Sequence, residues 1–318
     1  TAIEAEDLKR YADTFNEDHP DIEINWVRDS TGIVTAKLLA EKLIDKLNNK
    51  FRKLKIISSR FNLPRRIYRR LWREYAKKTS FYKVKRSVQN QIFHKIGLSR
   101  ADGLTKLNNV LMECFGVNYD EKDGMYSEHL VLLSSISCLN QSIKNILEIG
   151  TYNGRTALIL SKLFEEANIL SIDLPATDSD FKSTYHREGK VQDFVENRNK
   201  NLTNKRIRFL ETNSITLANI EEKFDLIWVD GAHGYPVVSM DIINSYRLCR
   251  KDGYVLIDDV WEQVDYSDKY YKSIAAHESL SELKIAKLIN DFYLIPKRLG
   301  GEWNLLWEKK YVGFFRRQ

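Results

Sequence analysis

Between residues 101 and 298 the sequence alternates short apolar runs with longer stretches whose apolar positions recur every three or four residues. The runs at 145–149, 168–172, 206–210, 225–229 and 253–257 are rich in Ile, Leu and Val. Strands buried on both faces of a sheet have this composition. Between them, Thr156–Glu165, Val191–Asn201 and Pro236–Arg250 read as amphipathic helices. The order predicts an α/β fold with a doubly wound, mostly parallel sheet. Two later runs, Leu283–Leu288 and Phe292–Ile295, are expected to add a closing antiparallel pair, for seven strands in all. The longest apolar stretch, near Leu130–Leu139, is broken by serines and too short to span a bilayer.

Composition divides the chain into four segments. Residues 1–43 read helix, strand, helix; 44–100 form a basic, aromatic-rich helical arm; 101–298 carry the alternation; 299–318 form a tail with Trp303, Trp307, Phe314 and Phe315. The net charge of +6 hides an asymmetry. Lys50 to Lys95 holds sixteen Lys or Arg against the single acid Glu74, a net +15 that leaves −9 for everything else. In the arm, Leu63, Ile67, Leu71 and Tyr75 recur four residues apart beside Tyr68 and Trp72, which gives one apolar helix face flanked by arginines. Such a face suits packing on the neighbouring domain, an anionic membrane surface reached through residues 50–95, or, less well, nucleic acid. Three scattered cysteines, Cys114, Cys138 and Cys249, form neither a metal spacing nor a disulfide framework and fit a reducing compartment. No signal-peptide pattern is present, so the expected location is cytoplasmic, with attachment at the membrane periphery open.

The strand ending Ile146-Leu147-Glu148-Ile149 runs into Gly150-Thr151-Tyr152-Asn153-Gly154 and then a helix. Gly150 lets backbone approach a ligand with no Cβ in the way. The spacing is not the G-x-G-x-x-G of a dinucleotide fold, and an acid at the strand end suits a cationic amino group rather than a pyrophosphate. The second strand ends in Asp173, placed to accept hydrogen bonds from ribose hydroxyls. The third leads to Asn213 and Ser214, where an adenine ring would sit.

Glu148, Gly150, Gly154 and Asp173 resemble the first two motifs of class I S-adenosylmethionine-dependent methyltransferases. Met125-Tyr126-Ser127-Glu128 resembles the lid segment of their O-methyltransferase branch. The resemblance implies cofactor contacts from Glu148, Gly150, Tyr152, Gly154, Asp173, Asn213, Ser214, Tyr126 and Ser127.

The fourth and fifth strands end in Asp230-Gly231-Ala232-His233 and Asp258-Asp259. Three carboxylates on one rim repel unless a cation neutralises them, and hard oxygen donors suit Mg²⁺ or another divalent ion. His233 is then the general base for a hydroxyl whose pKa the ion has lowered, with Asp230 beside it. These motifs resemble metal-dependent sugar O-methyltransferases, including macrolide-sugar enzymes, and their cephalosporin-hydroxylase-named relatives. The resemblance implies metal ligation by Asp230, Asp258 and Asp259, and a sugar, glycan or other small-molecule acceptor. Some relatives carry Glu where this chain has Asp258.

The alternative function is a methyltransferase-like binding module that docks on membrane or RNA through its arm. Homo-oligomerisation stays open. Residues 1–43, with Asp18-His19-Pro20 leading to a strand and Ser30-Thr31-Gly32 opening a helix, resemble the start of a periplasmic solute-binding protein of ABC transporters.

Overall fold

The computed structural model describes residues 80–120, 127–139, 142–184, 191–264, 267, 272–298 and 310–318. The solute-binding-protein likeness of residues 1–43, the arm up to residue 79, Tyr126, Trp303 and Trp307 therefore lie outside the described residues. The compact unit described here spans Lys83–Gln318.

Helices α1 (Ser80–Lys95), α2 (Arg100–Phe115) and α3 (Glu128–Ser137) precede the sheet. Ser99 caps α2 by accepting the Asp102 N–H, and Gly116 ends it in the left-handed conformation at φ 66°. Gly103, inside α2, has a packing reason. A Cβ there would lie 2.8 Å from the Val131 carbonyl oxygen, so only glycine lets α2 and α3 approach this closely.

Seven strands follow: β1 (Asn145–Ile149), β2 (Asn168–Asp173), β3 (Ile207–Glu211), β4 (Phe224–Val229), β5 (Cys249–Trp261), β6 (Tyr293–Pro296) and β7 (Lys310–Arg316). Between them lie α4 (Arg155–Leu163), α5 (Ser179–Thr184), α6 (Val191–Asn201), α7 (Val237–Leu248) and α8 (Ala275–Ile285). The sheet order is β3-β2-β1-β4-β5-β7-β6. The first five strands pair in parallel, and β7 runs antiparallel between β5 and β6. The doubly wound sheet of seven strands is therefore as expected.

Side chains alternate between two cores. Ile146, Leu226, Trp228, Leu256 and Phe314 pack on the face that carries α2, α3 and α4. Their neighbours Leu147, Ile149, Ile227, Val255, Ile257 and Phe315 pack on the face that carries α7 and α8. This is the period-2 consequence of a pleated strand covered on both sides.

Two expectations change. Leu283–Leu288 is not a strand: Leu280 and Leu283 are both buried, three residues apart on one face of α8. The antiparallel partner of β6 is instead β7, from the segment read as a tail, so the sheet extends past residue 298. At the other end, Phe93 of the basic arm is 1% exposed in the core, and the Gln89 side-chain amide donates to the Pro296 carbonyl at 2.6 Å. Among the described residues no helix is long and apolar enough to cross a membrane.

Candidate active site

A cleft of about 620 Å³ opens at the carboxyl ends of β1, β2, β4 and β5, where ligands gather in open α/β sheets. Its walls include Gly150, Tyr152, Asn153, Asp173, Asn213, Ser214 and Ser127 on one side, and Asp230, His233, Asp258 and Asp259 on the other.

The β1 turn sets the first half. Gly150 has φ 97°, and a Cβ on it would lie 2.1 Å from the Asp230 carbonyl oxygen. The turn after β1 and the turn after β4 are thus pressed together, and only glycine allows it. Gly154 opens α4 at φ 74°. Asp173 holds the turn from β2: its carboxylate accepts the Tyr152 N–H at 2.8 Å through one oxygen and the Leu174 N–H at 2.8 Å through the other. The carboxylate also lines the cleft, where a ribose hydroxyl could donate to it. Asn213 also caps the 3₁₀ turn Ser214–Asn219 by accepting the Ile215 N–H.

Glu148 departs from its expected place. It is 0% exposed and does not reach the cleft surface. Its carboxyl accepts the Ser171 hydroxyl, and Ser171 lies 2.6 Å from the Thr151 hydroxyl, so Glu148 acts on the turn from behind. Burial pushes its pKa up to about 8. The reason for the departure is the pleat and the tight turn together, which put Gly150 and Tyr152 at the surface and Glu148 beneath them.

Asp258 and Asp259 are neighbours on β5 and should point to opposite faces. They do not. The β5–β7 register slips between Ile257 and Val260, and Asp259 adopts φ 52°. The bulge turns both carboxylates to the same place.

That place holds lysines. The Lys297 ammonium, just past β6, donates to Asp258 Oδ2 at 2.5 Å and to Asp259 Oδ1. Lys310, opening β7, pairs with Asp259 Oδ2 at 2.5 Å. Burial alone would raise the Asp259 pKa; Lys297, His233 and Lys310 overcome it and hold the carboxyl well below its ordinary range. Burial likewise opposes the charge on Lys297, and Asp258 and Asp259 outweigh it and keep the ammonium protonated above its usual pKa. Asp230 moves the other way: burial and the neighbouring Asp258 carboxylate raise its pKa well above the ordinary value.

His233 Nε2 lies 3.8 Å from Asp230 Oδ1 and 3.7 Å from Asp259 Oδ2. Burial lowers its pKa against the upward pull of Asp259 and Asp258, so the imidazole is neutral near pH 7. The structure therefore brings together Asp230, His233, Asp258 and Asp259, as expected, and adds Lys297 and Lys310, which sequence reasoning missed. It also adds His129, which lines the cleft, stacks on Trp228 at 4.9 Å and lies 2.6 Å from the Ser127 hydroxyl. Burial holds His129 neutral, with a pKa of about 4.

The expected ligand trio does not fit a divalent ion. Both oxygens of Asp259 are engaged by ammonium groups, as is one oxygen of Asp258. Asp230, His233 and Asp258 still offer one ligand atom each within 4.8 Å of one another, and Asp258 Oδ1 is buried without a hydrogen-bond partner. An ammonium on one oxygen of a carboxylate nevertheless repels a dication on the other. The charge that called for a cation is met by side chains.

The sheet order, with one antiparallel strand inserted between β5 and β6, and the glycine turn facing an acid at the end of β2 define a doubly wound nucleotide-cofactor domain. Residues 147–260 match the family model described as a methyltransferase domain. The match covers about a third of the chain, and over those residues the described body is a methyltransferase domain built on the doubly wound sheet of the class I S-adenosylmethionine-dependent fold. No curated protein matches the chain in sequence. Among solved structures, an O-methyltransferase family protein from Burkholderia thailandensis is similar at 12% identity and TM-score 0.37, over 59% of this chain; the match spans only 55% of that protein. The S-adenosylhomocysteine-bound methyltransferase PaMTH1 from Podospora anserina gives 18%, 0.42, 68% and 88%, in the same order. The N-methyltransferase NodS from Bradyrhizobium japonicum gives 15%, 0.40, 60% and 94%. Likeness at this level does not choose between oxygen and nitrogen acceptors. No comparison bears out the solute-binding-protein likeness of residues 1–43; the family match begins at residue 147.

Proposed function

We propose that this domain transfers a methyl group from S-adenosylmethionine to a hydroxyl oxygen, with His233 as general base. The observation that carries this reading is a neutral imidazole lining the same cleft as the Asp173–Tyr152 cradle, 3.7 Å from an ionised Asp259. The acceptor O–H gives its proton to His233 while its oxygen attacks the methyl carbon. The carbon–sulfur bond breaks and its electron pair returns to sulfur, leaving neutral S-adenosylhomocysteine and a methyl ether. The positive charge that leaves sulfur ends on the imidazolium, which Asp259 steadies. Lys297 cannot serve as base, because Asp258 and Asp259 hold it protonated.

Within this reading the acceptor is a sugar or glycoconjugate hydroxyl. Support for that class comes from the resemblance of Asp230–His233 and Asp258–Asp259 to sugar O-methyltransferases. No step here is routed through a divalent ion.

The test is methyl transfer from labelled cofactor to a panel of sugars, glycosides, phenols and amines. Label is expected in an ether, and His233→Ala should lower turnover by about 10²–10⁴-fold, the range for losing a general base. Label on nitrogen would overturn the oxygen assignment, and an unchanged rate in His233→Ala would remove the base.

A further inference from the structure

We propose that Lys297 is the resident cation of this active site, seated where a divalent ion would otherwise neutralise the carboxylates, so that methyl transfer here needs no metal. The inference rests on the methyltransferase reading above and deepens it by assigning a residue for the same reaction.

Lys297 is fixed from several sides. Its backbone carbonyl accepts the N–H of Glu128, and its own N–H donates to the Lys310 carbonyl at 3.1 Å. One residue earlier, the Pro296 carbonyl is held by the buried Gln89 side chain. The β5 bulge then brings Asp258 and Asp259 to one side, and the ammonium sits against both. The Lys297 side chain is 11% exposed, and that exposure opens on the cleft.

An ammonium has three N–H donors. Two go to Asp258 and Asp259. The third serves the acceptor hydroxyl oxygen, whose negative charge grows as His233 removes its proton. A fixed positive charge at that point favours the developing oxyanion, the electrostatic task a Lewis acid performs elsewhere. A point charge offers no vacant coordination position, so acceptor oxygens are bound singly rather than as chelates.

The test uses Mn²⁺ as probe on the full chain, followed by electron paramagnetic resonance, with S-adenosylhomocysteine affinity measured by calorimetry on the same samples. The wild-type protein is expected to show no saturable Mn²⁺ site. Lys297→Ala should gain one, because Asp258 is released and Asp259 is relieved of one ammonium. Asp258→Asn in that background should remove it again. Lys297→Met, which keeps the packing of the stem, repeats the test should Lys297→Ala fold poorly. Saturable Mn²⁺ binding by wild type that Asp258→Asn abolishes would overturn the proposal. So would the lack of a site in both Lys297 variants, since Lys297 would then not be what fills it. Loss of S-adenosylhomocysteine binding in wild type would instead sink the methyltransferase reading, a separate failure that the manganese signal does not share.

Discussion

Asp173 and Glu148 both end strands next to the cofactor turn, yet the structure divides their work. Asp173 lines the cleft, so Asp173→Ala should weaken S-adenosylmethionine binding by about 10- to 100-fold, the scale of losing hydrogen bonds to a charged group. Calorimetry that found unchanged affinity in a folded variant would remove the ribose contact. Glu148 is behind the wall, and its effect should appear in stability. Its pKa rises from about 4.5 unfolded to about 8 folded. Between those values the folded chain keeps a proton that the unfolded chain has released, so this group's contribution is full below pH 4.5 and is lost as pH rises through 8. Glu148→Gln should therefore flatten the fall of melting temperature between pH 5 and 9 and stabilise the protein at the alkaline end by up to a few kcal/mol. Parallel melting curves for the two proteins across that range would show the opposite.

At the level of the element, the β5 bulge sets the site and has a conformational cost. A side chain at φ 52° is tolerated best as Gly, Asn or Asp and worst as a β-branched residue. Asp259→Asn keeps the backbone but leaves Lys297 and Lys310 short of a carboxylate, so it should lose about 3–5 kcal/mol in urea, and Asp259→Val should lose about 1–3 kcal/mol more through the backbone. Equal midpoints would mean that the backbone at 259 relaxes freely. This bulge also marks where sequence reading stops. Strands β1 to β5 were legible because each is a short Ile/Leu/Val run between turn residues, and the strand-end acids and His233 followed from their order. β7 was not legible: Lys310-Tyr311-Val312-Gly313-Phe314-Phe315-Arg316 is charged at both ends and carries a glycine. Gly313 is required by packing, since a Cβ there would meet Leu280 and Val260 at 3.1 Å. Lys297 and Lys310 had no motif to give them away. The available signal was the excess of carboxylates, which asks for positive charge without saying whose.

For the molecule as a whole, the catalytic body reaches back into the basic arm. Gln89 and Phe93 of α1 are buried, and Glu128, at the start of α3, takes both Arg100 and, at 3.5 Å, Arg86. A protein beginning near residue 80 should therefore keep its melting temperature and cofactor affinity, while one beginning at residue 96 should not. Phe93→Ala alone should cost about 3–5 kcal/mol, the usual price of emptying a buried phenylalanine site. A residue-96 start that melts like the full chain would place α1 outside the fold.

β7 lies between β5 and β6, with Lys310 at its start and Lys297 bonded to it through the backbone. Without β7 there is no Lys310 and no backbone partner for the Lys297 N–H, and the mutual repulsion of Asp258 and Asp259 would work against the native turn. With it in place, both ammonium groups sit against the two acids, and the same charges hold the sheet closed. Completing the scaffold and neutralising the site thus draw on the same contacts. A chain cut before β7 should therefore present an acidic notch instead of a competent pocket and show no methyl transfer.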